Sequence, residues 1–264
     1  MITFASVLYT QASEYLLDFI ASVASQTTRD FNCLFLNDNY ETLPDVNPGV
    51  PVTWVSCYGK NLTPQLLRIE LLKEAIKTGT DLLIIGDADD TFSNSRIESI
   101  IAAYEKDRDA AFYYNDLVAG NGEHIFLHMP DRLEDVRQIA QGNFLGMSTT
   151  AINMKYITLE WIDTLYEGDT VIFDWYLYTR LLADFGHAIY VPGAATIYRI
   201  HDANEVGIKI DTDREYQVKL THYANLGKRY TYFDKLYKQL ISKEYTVNPS
   251  GNGYWWDSIK MEEQ

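Results

Sequence analysis

Asp81-Leu82-Leu83-Ile84-Ile85-Gly86-Asp87-Ala88-Asp89-Asp90 is the stretch from which the fold can be read. An unbroken aliphatic run from Leu82 to Ile85, without polar alternation, predicts a strand buried on both faces, as in a parallel sheet. Gly86 ends it, and Asp87, Asp89 and Asp90 follow at once. Carboxylates this close repel one another, so the arrangement is costly unless something positive sits among them. A hard divalent cation is one such partner, since Mg²⁺ and Mn²⁺ take oxygen ligands and bridge to phosphates. A solvated acidic loop is the other reading of the same string.

On either side of this run, strand-like and helix-like patterns alternate over residues 1–115. Ile2 to Tyr9, Cys33 to Leu36, Val52 to Cys57 and Ala110 to Tyr114 read as strands. Ser13 is expected to cap a helix carrying Tyr15, Leu16, Phe19, Ile20 and Val23 on one face. Leu66, Leu67, Leu71, Ala75 and Ile76 mark a second helix, and Ile97, Ile100, Ile101 and Tyr104 a third. Such alternation predicts an α/β fold with a mostly parallel sheet flanked by helices. Ligands of such sheets bind beyond the carboxyl ends of the strands. That places Thr10, Asp38 and the segment after Ile85 at a candidate site. Asn37-Asp38-Asn39 suits a hydrogen bond to a base or ribose, and equally an ordinary turn.

Beyond residue 116 the pattern loosens, with Gly120, Gly122, Gly142 and Gly146 separating short segments. Helices are expected near 156–166 and 173–185, then one or two amphipathic, tyrosine-bearing helices over 213–243. The tail from Pro249 reads as irregular, with Trp255 and Trp256 as anchors. The expected division is 1–115, 116–207 and a C-terminal helical extension over 208–264.

The chain has 264 residues, 47% hydrophobic and 22% charged, with a formal charge of −15. Those values suit a folded α/β domain and lack the basic stripe of a nucleic-acid groove. A phosphate-bearing ligand would have to be held locally, by a metal or a few placed cations. Cys33 and Cys57 read as two buried thiols. No apolar stretch approaches the ~20 residues that span a bilayer. The first residues, with Glu14 and Asp18 early, do not read as a signal peptide. The expectation is a cytoplasmic protein, with peripheral contact at the inner face of a membrane left open.

Several segments in order resemble family 2 glycosyltransferases of the GT-A fold. They begin with SVLYT at 6–10 and YLLDFIASVASQTTRDFNCLFLND at 15–38, where Ser22, Ser25, Gln26, Thr27, Asp30 and Phe31 fit the family's helix-to-strand phrase. Asp87-Ala88-Asp89-Asp90 matches the DxD metal site, and Asn143-Phe144-Leu145-Gly146-Met147-Ser148 the acceptor-side loop. Asp174-Trp175, with Arg180, Leu181, Leu182 and Gly186, resembles the segment that carries the catalytic base. Tyr198-Arg199-Ile200-His201-Asp202-Ala203-Asn204 resembles the motif that closes the active site.

The resemblance implies a metal-dependent inverting transferase that moves a hexosyl group from a nucleoside diphosphate, with uridine the favoured base, to an acceptor hydroxyl. Asp38 would contact the base, with Thr10 in the loop wall and Arg68 near the nucleotide. Without the resemblance, Arg68 is a helix-surface charge. Asp87 would face ribose or metal, Asp89 would ligate Mn²⁺ or Mg²⁺, and Asp90 would bind sugar hydroxyls or hold the loop. His201 would approach the metal or the diphosphate. Asp174 would be the general base, where position alone suggests an acid favoured by a helix N-terminus. The implied partners are a nucleoside-diphosphate sugar and a glycan or lipid-linked acceptor, in surface polysaccharide or glycan synthesis.

Departures from the family pattern are Phe173 where Glu is common, Asn37 for the first acid of an Asp pair, and Thr10 for Asn. Two alternatives compete. One is an inactive nucleotide-sugar-binding scaffold. The other is a sugar-phosphate nucleotidyltransferase, disfavoured because Thr10-Gln11-Ala12-Ser13 holds neither glycine nor cation.

Overall fold

The computed structural model describes residues 1–167, 172–199, 211–251 and 253–262. β1 (Ile2–Leu8), β2 (Asn32–Asn37), β3 (Val52–Ser56) and β4 (Leu82–Ile85) pair in parallel in the order β3-β2-β1-β4. β8 (Thr150–Asn153) runs antiparallel to both β4 and β6 (Phe112–Ala119). β9 (Ala188–Tyr198) then pairs in parallel with β6. Two short strands, β5 (Thr91–Phe92) and β7 (Arg132–Leu133), complete the sheet against β9. The sheet is mixed, and its parallel ladders are the longer ones, as the unbroken apolar run at 82–85 predicted.

Period-two alternation along the strands splits the core into two layers. Phe4, Phe35, Leu82 and Ile84 face one way, against α1 (Leu16–Ala24) and α3 (Arg96–Lys106). Leu34, Leu36, Leu83 and Ile85 face the other way, against α2 (Pro64–Lys77) and α6 (Phe173–Phe185). Each such side chain, fully buried, stabilises the fold by about 1.5–3 kcal/mol. Thr63 caps α2 by accepting the Leu66 amide at 3.3 Å, with Pro64 in the first turn. Between them lie the short α4 (Arg137–Ala140) and α5 (Leu159–Asp163). Cys33 and Cys57 are buried free thiols.

Two local expectations are corrected. Ser13 does not cap α1, which starts at Leu16; its hydroxyl instead donates to the Thr10 carbonyl and closes a 3₁₀ turn over Thr10–Ala12. The tail is not irregular throughout, because β11 (Ile259–Met261) pairs antiparallel with β10 (Tyr245–Val247). The Met261 amide donates to Gln141 Oε1 at 2.7 Å and the Ile259 amide to Glu215 Oε1 at 2.8 Å. Those long-range bonds have no local periodicity to announce them.

The tyrosine-bearing region forms α7 (Thr212–Gly227) and α8 (Thr231–Ile241), packed on the body. His222 of α7 stacks on Trp175 of α6, with ring centroids 4.0 Å apart. Burial, with Lys219 nearby, holds its imidazole down to about 3. The folded state therefore keeps His222 neutral, while the unfolded chain protonates it near its ordinary value. Stability is complete above that value and falls as pH drops from 6.5 towards 3. This one group is expected to cost roughly 3 kcal/mol between pH 7 and pH 4. Urea midpoints of wild type and His222→Phe across that range check it; the variant should lose distinctly less stability on acidification.

Candidate active site

The carboxyl ends of β1, β2 and β4 meet because the chain crosses to the far side of β1 after β3. This is the switch point at which open α/β sheets bind ligands. The Asp38 amide donates to the Leu8 carbonyl at 3.0 Å, and the Thr10 amide to Asn39 Oδ1 at 2.8 Å. The Gly86 amide donates to the Ala5 carbonyl at 3.0 Å. The first two loops are thus tied together, and the acidic loop starts beside them. Gly86 is required sterically: a Cβ there would lie 2.5 Å from Phe92 and 2.6 Å from Phe4.

Asp87 forms an ion pair with Arg68 of α2, and its amide meets Ser148 Oγ at 3.1 Å. Arg68 is therefore no helix-surface charge; its side chain is 18% exposed. Burial opposes its charge, but Asp87, Tyr9 and Asp89 together outweigh burial and raise its pKa. Burial raises Asp87 as well, against Arg68 and with Asp89 adding. Asp90 is buried and pushed well above the carboxylate range, first by burial and then by Asp87 and Asp89. It accepts the Arg199 amide at 3.1 Å, while Arg199 Nε donates to the Asp89 carbonyl at 3.0 Å. Asp38 is raised by burial alone.

Asp174 lies in the first turn of α6, and its Oδ1 accepts the Trp175 amide at 2.6 Å. Its link to the acidic loop is Tyr198. Burial raises that phenol first, and then the charges of Asp90, Asp89, Asp87 and Asp174. The charges of Asp87, Asp89, Asp90 and Asp174 thus all bear on one tyrosine, and a Cβ on Gly146, two residues before the Ser148 that meets the Asp87 amide, would lie 3.9 Å from Asp174 Oδ2. Thr10 is exposed on the loop beside Asp38. His201 lies outside the described residues.

Three participants were missed in the sequence. Tyr9, read as the end of a strand, has a phenol raised by burial and then by Asp89 and Asp87, with a side-chain hydrogen bond to Asp89. Tyr198 is marked in the sequence only as part of the 198–204 motif. Arg96 is fully buried beneath the loop. It donates to the carbonyls of Ile85 and Ser148 at 2.8 Å each and to Asn115 Oδ1 at 2.9 Å. Burial lowers it to about 9, with Asp90 pulling the other way. An arginine heading an amphipathic helix reads as surface charge, and no local signal marks it otherwise.

The Gln26 phrase proves to be a clamp. Gln26 donates to the carbonyls of Ser22 and Ser93 at 3.0 and 2.9 Å and accepts the Ile97 amide at 3.0 Å. It satisfies the start of α3 and so positions Arg96.

No protein-family model matches the chain, and a search of curated proteins finds no match. Solved structures do. TarS residues 1–349 from S. aureus aligns at TM-score 0.62 and 13% identity, over 92% of this chain and 72% of that one. The same fragment in complex with UDP-GlcNAc aligns at 0.58 and 13% identity, with the same coverage. GalNAc-T7 with UDP, GalNAc and Mn²⁺ aligns at 0.56 and 13% identity, over 90% of this chain and 50% of that one. At such identity the likeness speaks to fold. The chain has the GT-A fold, a mixed, mostly parallel sheet flanked by helices.

Proposed function

We propose that this protein is a metal-dependent, inverting hexosyltransferase of the family 2 type, using a nucleoside-diphosphate sugar, with UDP the favoured carrier. The observation that carries the proposal is the meeting of Tyr9, Asp38, Asp87 and Asp89 at the ends of β1, β2 and β4, with the 146–148 loop reaching from the Asp87 amide to Asp174. Structures of the same fold in complex with UDP-GlcNAc, and with UDP and Mn²⁺, support that choice of donor. Residues 1–115 would hold the nucleotide sugar and 116–207 the acceptor, with 208–264 as an extension.

Asp38 would hold the base and Thr10 the loop wall beside it. Arg68 would orient Asp87 towards ribose or metal, and Asp90 would hold the loop through Arg199. Among the described residues no group of three acidic, histidine or cysteine side chains is poised to hold an ion. The donor chemistry nonetheless fits: burial first and neighbouring carboxylates second raise Asp87 and Asp90, so the loop gathers carboxylate oxygens whose mutual repulsion a hard cation relieves. Asp89 and Asp87 would hold Mn²⁺ or Mg²⁺, with His201, outside the described residues, as a further candidate ligand. When bound, the ion supplies charge neutralisation at the departing diphosphate.

Asp174 would take the proton of the acceptor hydroxyl as that oxygen attacks the anomeric carbon. The new glycosidic bond forms as the bond to the diphosphate breaks, and the electron pair leaves with the diphosphate. One displacement inverts the configuration. The acceptor would be a glycan or a lipid-linked sugar in surface polysaccharide or glycan synthesis. Among the described residues no helix is long and apolar enough to cross a membrane.

Calorimetric titration with UDP, GDP, dTDP and CMP, each with and without Mn²⁺, tests the donor side. The expected result is preferential binding of UDP that needs the metal and is lost in Asp89→Ala. Binding of none of the four to folded protein would sink the proposal.

A further inference from the structure

The tail reaches the proposed catalytic centre. Trp255 exchanges two backbone hydrogen bonds with Asn143, at 2.8 and 2.9 Å, which fix it beside the 143–149 loop. Its ring packs edge-on against Phe126, with centroids 4.9 Å apart, and the residue stays partly exposed. Gly146 lies between this indole and Asp174. A Cβ on Gly146 would sit 3.9 Å from Asp174 Oδ2 and 3.9 Å from Trp255 Cζ3, so those two atoms are within 7.8 Å of each other.

Nothing in the backbone requires glycine there, since Gly146 is extended at φ −118° and ψ 163°. Among the described residues, the atoms nearest to such a Cβ are Asp174 Oδ2, Thr149 Oγ1 and Trp255 Cζ3, so a longer side chain would enter the space flanked by carboxylate and indole. Next to it, Trp256 is held at φ 57°, a conformation that a bulky residue rarely adopts, and Arg214 covers its ring at 5.6 Å. The Tyr254 amide closes the turn onto Asp257 Oδ2 at 2.8 Å. The tail's path is over-determined at the point where it delivers Trp255.

We infer that Gly146, Asp174 and Trp255 frame a saccharide slot, in which the Trp255 indole lies against a neutral pyranose ring of the acceptor while one ring hydroxyl meets Asp174. The assignment of this ring to an acceptor rests on the transferase proposal. An indole offers an apolar face and no charge, which suits the C–H face of a neutral sugar. A saccharide needs such a surface beside a carboxylate acceptor of hydrogen bonds, and both are present within one ring's reach. The carboxylate and the protein's net charge of −15 disfavour an anionic sugar.

The test is NMR of the ¹⁵N-labelled indoles, with Trp255 assigned through Trp255→Phe. Methyl glucoside and methyl N-acetylglucosaminide are titrated with and without UDP and Mn²⁺. The expected result is a shift of the Trp255 resonance by at least one glycoside. Affinity, read in wild type and every variant from broadening of the glycoside's own proton resonances, should fall about threefold to tenfold in Trp255→Ala, fall similarly in Gly146→Leu, and be largely kept in Trp255→Phe. Absence of glycoside binding to wild type, or equal affinity in Trp255→Ala, overturns the slot. UDP added to the same samples reads the transferase proposal separately. Glycoside shifts at Trp255 without UDP binding would support the slot and count against the transferase.

Discussion

Asp174→Asn is expected to lower the rate of sugar transfer by about 10²–10⁴-fold, the usual contribution of a positioned general base. Asparagine has nearly the volume of aspartate and keeps an oxygen that can accept the Trp175 amide, now 2.6 Å from Oδ1. The helix start and its packing should therefore survive. What asparagine loses is the ability to take a proton, so the fall should appear in kcat, while calorimetric affinity for the diphosphate stays unchanged. Steady-state kinetics with a donor sugar and an accepted glycoside would show it. A variant that transfers at the full rate would mean that another group removes the proton.

The second large effect is structural. Arg96→Met is expected to destabilise the protein by about 3–5 kcal/mol, the usual result of removing one partner from a buried polar network. The substitution removes the guanidinium donors from the Ile85 carbonyl and the Asn115 side chain in a fully buried place, and leaves the Ser148 carbonyl with the Thr196 hydroxyl at 2.7 Å alone. It also removes the positive charge under Asp90. Arg96→Lys should recover part of the loss, because an ammonium keeps the charge but cannot reproduce the planar fork that meets three acceptors. Urea denaturation reads both variants through their midpoints. A cost below about 1 kcal/mol for Arg96→Met would place it with ordinary surface changes, and Arg96 would not be what holds the loop.

Much of the candidate site at the ends of β1, β2 and β4 was legible because its signals are local. An apolar run ending in glycine marked β4, and the carboxylates after Gly86 stood out against it. Thr10 and Asp38 followed from the rule that ligands bind beyond strand ends. Arg68 was ambiguous: its place in a helix pattern fits a solvated charge, and only packing shows it turned towards Asp87. Ser13 misled because a serine ahead of an apolar helix usually caps it, whereas here a 3₁₀ turn intervenes.

By itself the sequence determined an α/β sheet with acidic residues at a strand end, the helices after residue 156, and two free buried thiols. Periodicity and residue type suffice for those, since each depends on neighbours within a few positions. Only the tertiary structure decided that Tyr9, Arg68 and Tyr198 share one site with the acidic loop, that Arg96 lies beneath it, and that the tail brings Trp255 to Asp174. Arg96 and Ser148 are 52 positions apart in the chain, and Asn143 and Trp255 are further apart still. Contacts across such distances are selected by burial and hydrogen-bond satisfaction over the whole fold, and these leave no periodic trace along the chain.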